Sequence, residues 1–347
     1  MSAGSASRSS LQSRLAGPFL RLTVRRNLAR ATDPVAARAR FLTMARWLMP
    51  DPPLGVFLPD RLGRVPALWA SVAGTEVAAA VPRVILYVHG GAFVMGSPRV
   101  YRALAARLAA ATGGRALVPH YRRAPEHPFP AALEDALAVY AALLERGYPA
   151  RRIVLAGDSA GGAIALGLAG EVLRQGWPAP AGMAMFSPLV DLTFSGASWQ
   201  ENRARDPMLP ARRGPDMAAM WLQGADPRDP RASPLFAAWS RRPPPALIFA
   251  AESELLRDDA VRMVARLKAA GGRAELRLAG DLPHVWPFMC PWLPEGCETI
   301  AQAGAFLGEA LDAAGNDCGT HLSQGASDLG AAAQDQPRPA SRAPTIR

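Results

Sequence analysis

Residues 152–163 read RIVLAGDSAGGA. An apolar run stops at Gly157, a single serine follows at Ser159, and the residues after it are almost all tiny. Ile153–Ala156 has the length and β-branched content of a buried strand, and the stretch from Ala160 to Gln175 has the pattern of a helix. Gly157-Asp158-Ser159-Ala160-Gly161 is therefore a G-x-S-x-G turn between a strand and a helix. Such a turn lifts the serine hydroxyl clear of the sheet, and glycines on either side let strand and helix cross closely. The N–H of Ala160, first in the helix, points into the same space and can donate to a developing oxyanion. A tight turn and an exposed nucleophile are one requirement here.

A serine nucleophile needs a base. Of the five histidines, His89, His120 and His127 precede Ser159, and His321 lies in a polar C-terminal stretch. His284, in DLPHVW just after the last expected strand, follows the serine with acids between, the chain order Ser…Asp/Glu…His. GDSAGG also resembles the turn of trypsin-like proteases, but those place histidine and aspartate ahead of the serine in an all-β fold. The acid must follow a strand and precede His284. AESELLRDD (251–259) offers Glu252, Glu254, Asp258 and Asp259. The two aspartates suit the first turn of the next helix, where acids favour the dipole. Position leaves Glu252 and Glu254 undecided. A second source of oxyanion donors is the glycine pair in His89-Gly90-Gly91-Ala92-Phe93, directly after the strand VILYV.

Working outward, residues 1–60 read as helical pieces closed by Pro50, Pro52 and Pro53. From Pro66 on, short apolar runs alternate with helical ones. Val84–His89, Arg115–Tyr121, Ile153–Ala156, Met183–Phe186, Ala246–Ala250 and Ala274–Leu278 read as strands, with Leu68–Val72 as an earlier edge strand. Tyr101–Thr112, Pro130–Arg146, Ala160–Gln175, Asp258–Ala270 and Thr299–Ala314 read as helices. The alternation predicts βαβ units and a mostly parallel sheet. Residues 195–243, rich in Pro, Arg and Asp, break the rhythm as an insertion. Gly315–Arg347 is expected to be a disordered tail.

The net charge of +10 does not mark a nucleic-acid binder. Residues 1–47 hold nine arginines and one acid, Asp33, so nearly all of the excess sits at the N-terminus instead of on a folded face. Leu11, Leu15, Phe19 and Leu22 recur there at helical spacing and are expected to join the fold as an amphipathic helix, so membrane contact is not expected. No apolar run approaches the ~18 residues of a membrane helix. Cys290, Cys297 and Cys318 form no C-x-x-C pair; free thiols in a reducing, cytoplasmic setting are expected, with no disulfide framework and no zinc site.

HGGAFVMGS (89–97), YRRAPEHPFPAALEDA (121–136), GDSAGG (157–162), SPLVDLT (187–193) and DLPHVW (281–286) together resemble the bacterial hormone-sensitive-lipase-like esterases, the H-G-G / G-D-S-A-G branch of the α/β-hydrolases. The resemblance spans about residues 40–311. It implies an α/β-hydrolase fold, a mostly parallel sheet flanked by helices under an N-terminal helical cap. Residues 1–60 would be that cap, 61–314 the catalytic domain, with 195–225 contributing to the cap. It implies Ser159 as nucleophile, His284 as base, and Gly90, Gly91 and Ala160 as oxyanion donors. It also decides the acid: the family's D-P-L-x-D aligns with Glu254-Leu255-Leu256-Arg257-Asp258, which puts Glu254 in the triad. His89 becomes a structural residue of the oxyanion loop, braced by a network of Arg122, Glu126 and Asp135. Phe93, Met44, Trp47, Met208 and Trp221 would line the pocket. Departures from the family pattern are Glu for Asp, Leu255 for proline, Ala92 for the third glycine and Ala163 for asparagine.

The expected activity is hydrolysis of short- to medium-chain acyl esters, with a small-molecule ester as substrate and no metal or cofactor. Lactones or acetylated natural products are the alternative substrates, and a lipase acting at a membrane surface is the alternative role. A non-catalytic binding protein is the rival class, disfavoured because all three triad residue types are present. A monomer or homodimer is expected.

Overall fold

The computed structural model describes residues 10–31, 33–78 and 81–332; the side chains of residues 46–48 and 316–332 lie outside the description. Eight strands form one sheet: β1 Gly55–Leu62, β2 Val65–Val72, β3 Val84–Val88, β4 Arg115–Pro119, β5 Ile153–Asp158, β6 Met183–Phe186, β7 Ala246–Ala251 and β8 Ala274–Ala279. Their order is β1-β2-β4-β3-β5-β6-β7-β8, and β2 pairs antiparallel with both its neighbours while β4, β3 and β5 to β8 pair parallel.

Side chains of the central strands divide two hydrophobic cores by their period of two. Val84, Leu86 and Val88 face one core; Ile85 and Tyr87 face the other. Helices α4 Pro98–Thr112 and α10 Pro294–Ala332 cover the second face, and α5 Ala131–Glu145, α6 Ser159–Arg174 and α9 Arg257–Ala269 cover the first. Because β3 and β5 to β8 run in one direction, the loops after each of them emerge at one edge of the sheet. That edge is where a doubly covered parallel sheet presents its ligands.

Before the sheet come α1 Leu11–Leu20, a π-helical turn Arg21–Arg25, α2 Arg26–Arg30 and α3 Pro34–Leu48. Asp33 caps α3 by accepting from the Val35 N–H, with Pro34 in the first turn. The insertion between β6 and β7 carries α7 Ser198–Glu201 and α8 Arg213–Leu222. The two regions are bonded to each other. Arg21 and Arg25 donate to the carbonyls of Arg205 and Arg203, and Arg212 and Arg213 donate to those of Ala29 and Ala31.

Three expectations are corrected. Residues 55–62 are not helical: β1 and β2 form a hairpin turning at Gly63, so the edge strand is β1. Its proline and charges suit an edge, where solvent satisfies one side of the backbone. The last helix does not stop at Ala314 but runs to Ala332, an extension that needs no new nucleus once Pro294–Ala314 is docked; residues 333–347 of the expected tail lie outside the described residues. Cys290 and Cys297 are joined in a disulfide, with Cα atoms 5.1 Å apart. Pairing rules read from spacing missed it because the short helical turn Trp286–Met289 and the start of α10 fold the two positions back together. The Cys318 side chain is outside the description.

Candidate active site

Ser159 is the first residue of α6 and has φ +51°, the left-handed region that costs any non-glycine residue. Its carbonyl accepts from the Leu189 N–H at 3.0 Å, which holds the turn. Gly161 allows the turn to exist: a Cβ there would lie 2.2 Å from the Val88 carbonyl oxygen and 2.3 Å from that of His89. Ser159 is partly exposed although its neighbours Asp158 and Ala160 are buried.

His284, five residues past β8, reaches Ser159 Oγ through Nε2 at 2.9 Å. Its Nδ1 donates to Glu254 Oε1 at 3.3 Å. Glu254 is fully buried, whereas Glu252 is exposed. The sequence left these two open on position alone, and burial with geometry separates them. Asp258 and Asp259 sit in the first turn of α9, as expected. Burial opposes charging the imidazole, but the hydrogen bond and the charge of Glu254, joined by the charges of Asp206 and Asp158, outweigh it and hold the His284 pKa above its ordinary value.

Sequence reading missed most of what holds the acid. Ser187 Oγ donates to Glu254 Oε1 at 2.6 Å and accepts from the Val285 N–H at 3.3 Å, so one hydroxyl ties Glu254 to the residue after His284. The Ala251 N–H donates to Glu254 Oε2. Asn202 Nδ2 donates to the carbonyls of Glu252 and Glu254, and Asp206 accepts from the Leu255 N–H. Ser187 stood in a quoted motif without a role, and Asn202 and Asp206 lie in the insertion, where no periodic signal points to them. Among the described residues eight non-glycines have positive φ, and five of them (Ala92, Phe93, Ser159, Ser187 and Val285) belong to this site or its loops. Such strain is retained where surrounding structure over-determines it.

The oxyanion loop requires a correction. The Gly90 N–H is taken: it donates to Asp158 Oδ1 at 2.9 Å. The N–H groups of Gly91, Ala92 and Ala160 find no acceptor among the described residues. Gly91 has φ +118°, which a side chain rarely adopts, and a Cβ there would lie 2.6 Å from the Met95 carbonyl, so the bend of this loop requires glycine. Sequence spacing could not show which two N–H groups of the loop are free, because that depends on the partner of Gly90. Asp158 also accepts from Tyr87 and Tyr101 at 2.9 and 3.1 Å, and burial pushes its pKa up to about 6 despite those three donors. Asp158→Ala strands one N–H and two hydroxyls. It is expected to lower stability by about 2–4 kcal/mol, read as an earlier urea midpoint at unchanged m-value.

His89 is wholly buried between Tyr121 and Tyr101, with Nδ1 on the Gly90 carbonyl, and burial drives its pKa down to about 3. Its imidazole is therefore held in the neutral form. The bracing network is divided: Arg122 binds Asp135 and Glu134, while Glu126 pairs with Arg38 of α3, which also donates to the Val94 carbonyl behind the oxyanion loop. His120 and His127 are exposed, and the His321 side chain is outside the description. Of the expected pocket residues, Phe93 and Trp221 stack face to face at 3.7 Å, each about 1% exposed. Met44 and Met208 are half-buried against the second core; the Trp47 side chain is outside the description.

Comparison with known proteins agrees with this fold. A family model for the alpha/beta hydrolase fold matches residues 85–288. An acetyl-hydrolase of Streptomyces hygroscopicus is 42% identical over 225 residues, 65% of this chain and 75% of that protein. The putative acetyl-hydrolase LipR of Mycobacterium tuberculosis is 35% identical over 83% of this chain and 94% of its own. A crystal structure of an esterase from the bacterial hormone-sensitive lipase family superposes with a TM-score of 0.81 at 36% identity, covering 88% of this chain and 99% of that one. EstE5, soaked with p-nitrophenyl butyrate, superposes at 0.82 with 32% identity over 88% and 100%. The chain belongs to the α/β-hydrolases, in their bacterial hormone-sensitive-lipase branch, and is by class a carboxylic ester hydrolase. No helix among the described residues is long and apolar enough to cross a membrane.

Proposed function

We propose that this hydrolase cleaves short- to medium-chain acyl esters of small molecules through a Ser159–His284–Glu254 triad and an acyl-enzyme. The observation that carries the reading is the unbroken hydrogen-bond chain from Ser159 Oγ through the imidazole to a buried carboxylate, beside three unoccupied backbone N–H groups. Ser159 Oγ attacks the ester carbonyl as His284 Nε2 takes its proton. The carbonyl oxygen becomes an oxyanion held by the N–H groups of Gly91, Ala92 and Ala160, with the N-terminal dipole of α6 behind it. Glu254 stabilises the imidazolium and keeps Nδ1 as the donor. His284 returns the proton to the departing alkoxide and the alcohol leaves; His284 then deprotonates a water that attacks the acyl-enzyme, and as the acyl–Oγ bond breaks the imidazolium returns that proton to Ser159 Oγ and the carboxylic acid is released. Neither a metal nor a cofactor enters any step.

Residues 10–48 and the bonded segment 195–225 act in this proposal as the cap over the acyl site. The acetyl-hydrolase relatives and the butyrate ester soaked into EstE5 support a small acyl group. The acetyl-hydrolase names also favour acetyl esters as a second reading. Hydrolysis of p-nitrophenyl esters from acetyl to palmitoyl tests both. Serine-dependent turnover should peak between acetyl and octanoyl. Turnover confined to palmitoyl would overturn the short-chain assignment, and absence of fluorophosphonate labelling at Ser159 would overturn the triad.

A further inference from the structure

The helix expected to bury its apolar stripe does the opposite. On α1 and the turn after it, Leu11, Leu15, Phe19 and Leu22 are 68, 65, 57 and 72% exposed. At a period of about 3.6 residues they share one face, and exposed Pro18 lies on it too. The residues buried against the protein, Ser13, Leu20 and Val24, lie on the opposite face. The helix is therefore anchored by its back. Ser10 is bonded to Glu295 at the start of α10, and Arg21 and Arg25 are bonded to carbonyls of the insertion.

The charges beside the stripe have no counter-charge. Arg14, Arg21, Arg25, Arg26 and Arg30 form no ion pair with any described residue. No acidic residue occurs before Asp33. An outward apolar stripe with flanking arginines is the composition of a helix that lies in the plane of a lipid surface, leucine and phenylalanine among the acyl chains and guanidinium groups at the phosphates. A second copy of the chain is the poorer occupant, since a symmetric contact would set these uncompensated arginines against their own mates.

We propose that α1 and its following turn dock this protein on an anionic phospholipid surface. The docked helix is bonded to residues 203 and 205, in the same segment whose Asn202 and Asp206 hold the loop of Glu254. Docking thus seats the catalytic chain at the membrane through a rigid hydrogen-bonded link, without a spanning helix.

Flotation of the full chain with vesicles tests this directly and does not depend on activity. Vesicles of phosphatidylcholine alone are compared with equimolar phosphatidylcholine and phosphatidylglycerol. The wild type should float with the anionic vesicles, remain behind with the neutral ones, and be released as salt is raised. Leu15→Ser with Phe19→Ser, and separately Arg14→Glu with Arg26→Glu, should each weaken binding by about tenfold or more. All four side chains are exposed, and unchanged circular dichroism and thermal unfolding serve as the check on folding. No binding by the wild type, or equal binding by either double variant, overturns the proposal. So does a wild-type dimer that the Leu15/Phe19 variant converts to monomer, which would assign the stripe to a second copy.

Discussion

Ser159→Ala is expected to lower kcat on p-nitrophenyl butyrate by at least about 10³-fold, with KM little changed and thermal unfolding within a few degrees of wild type. The variant removes the atom that attacks and leaves His284 without its partner at 2.9 Å. It also relieves nothing in the backbone, because alanine at φ +51° is as strained as serine. What survives is the binding of the carbonyl oxygen by the N–H groups of Gly91, Ala92 and Ala160, enough to keep some rate above water. His284→Ala should fall to a similar level, and the double variant should be scarcely worse than either single one, because the pair acts as a unit. Near-additive losses would mean that Ser159 and His284 act in separate steps.

Glu254→Gln is expected to lose roughly 10²–10⁴-fold in kcat/KM while the neighbouring Glu252→Gln stays within about threefold of wild type. The difference follows from burial. Glu254 is fully buried and receives Ser187, the Ala251 N–H and the imidazole; Glu252 points to solvent. The pH profile separates catalysis from simple misfolding. His284 must be neutral to take a proton, and its folded pKa lies above the ordinary 6.5, so wild-type kcat/KM should fall as pH drops through a value above 6.5. Removing the Glu254 charge takes away a main contribution that raises this pKa and leaves burial, which lowers it, opposed by the more distant charges of Asp206 and Asp158. The residual activity of Glu254→Gln should therefore persist to lower pH than that of the wild type. An acid limb at the wild-type position would remove Glu254 from the triad, as would strong loss in Glu252→Gln.

The strand–turn–helix around Ser159 and the parallel sheet were legible because each is written locally. A buried strand needs a short β-branched run, an elbow needs small residues around one serine, and a helix needs a longer apolar period; all three lie within a dozen residues of each other at 152–163. The chain order Ser…Glu…His is likewise readable, since the parallel sheet delivers its loops to one edge in sequence. Less legible were the elements whose fate depends on distant partners. β1 was read as part of a helical stretch because Gly55–Leu62 pairs with β2 only through the hairpin at Gly63. Cys290 and Cys297 meet because the chain reverses between them.

The sequence alone determined which residue types stand at the elbow, where the histidine falls, and that alternating strands and helices make a two-faced sheet. Position in the sequence left Glu252 and Glu254 open and the family resemblance pointed to Glu254; tertiary structure adds the physical difference, burying Glu254 and exposing Glu252. It spent the Gly90 N–H on Asp158 and left that of Ala92 without an acceptor among the described residues. It turned the stripe of Leu11, Leu15, Phe19 and Leu22 outward, although its spacing reads the same whether it faces a core or a lipid. Periodicity records that a helix has an apolar side; only the packing of the rest of the chain determines what that side meets.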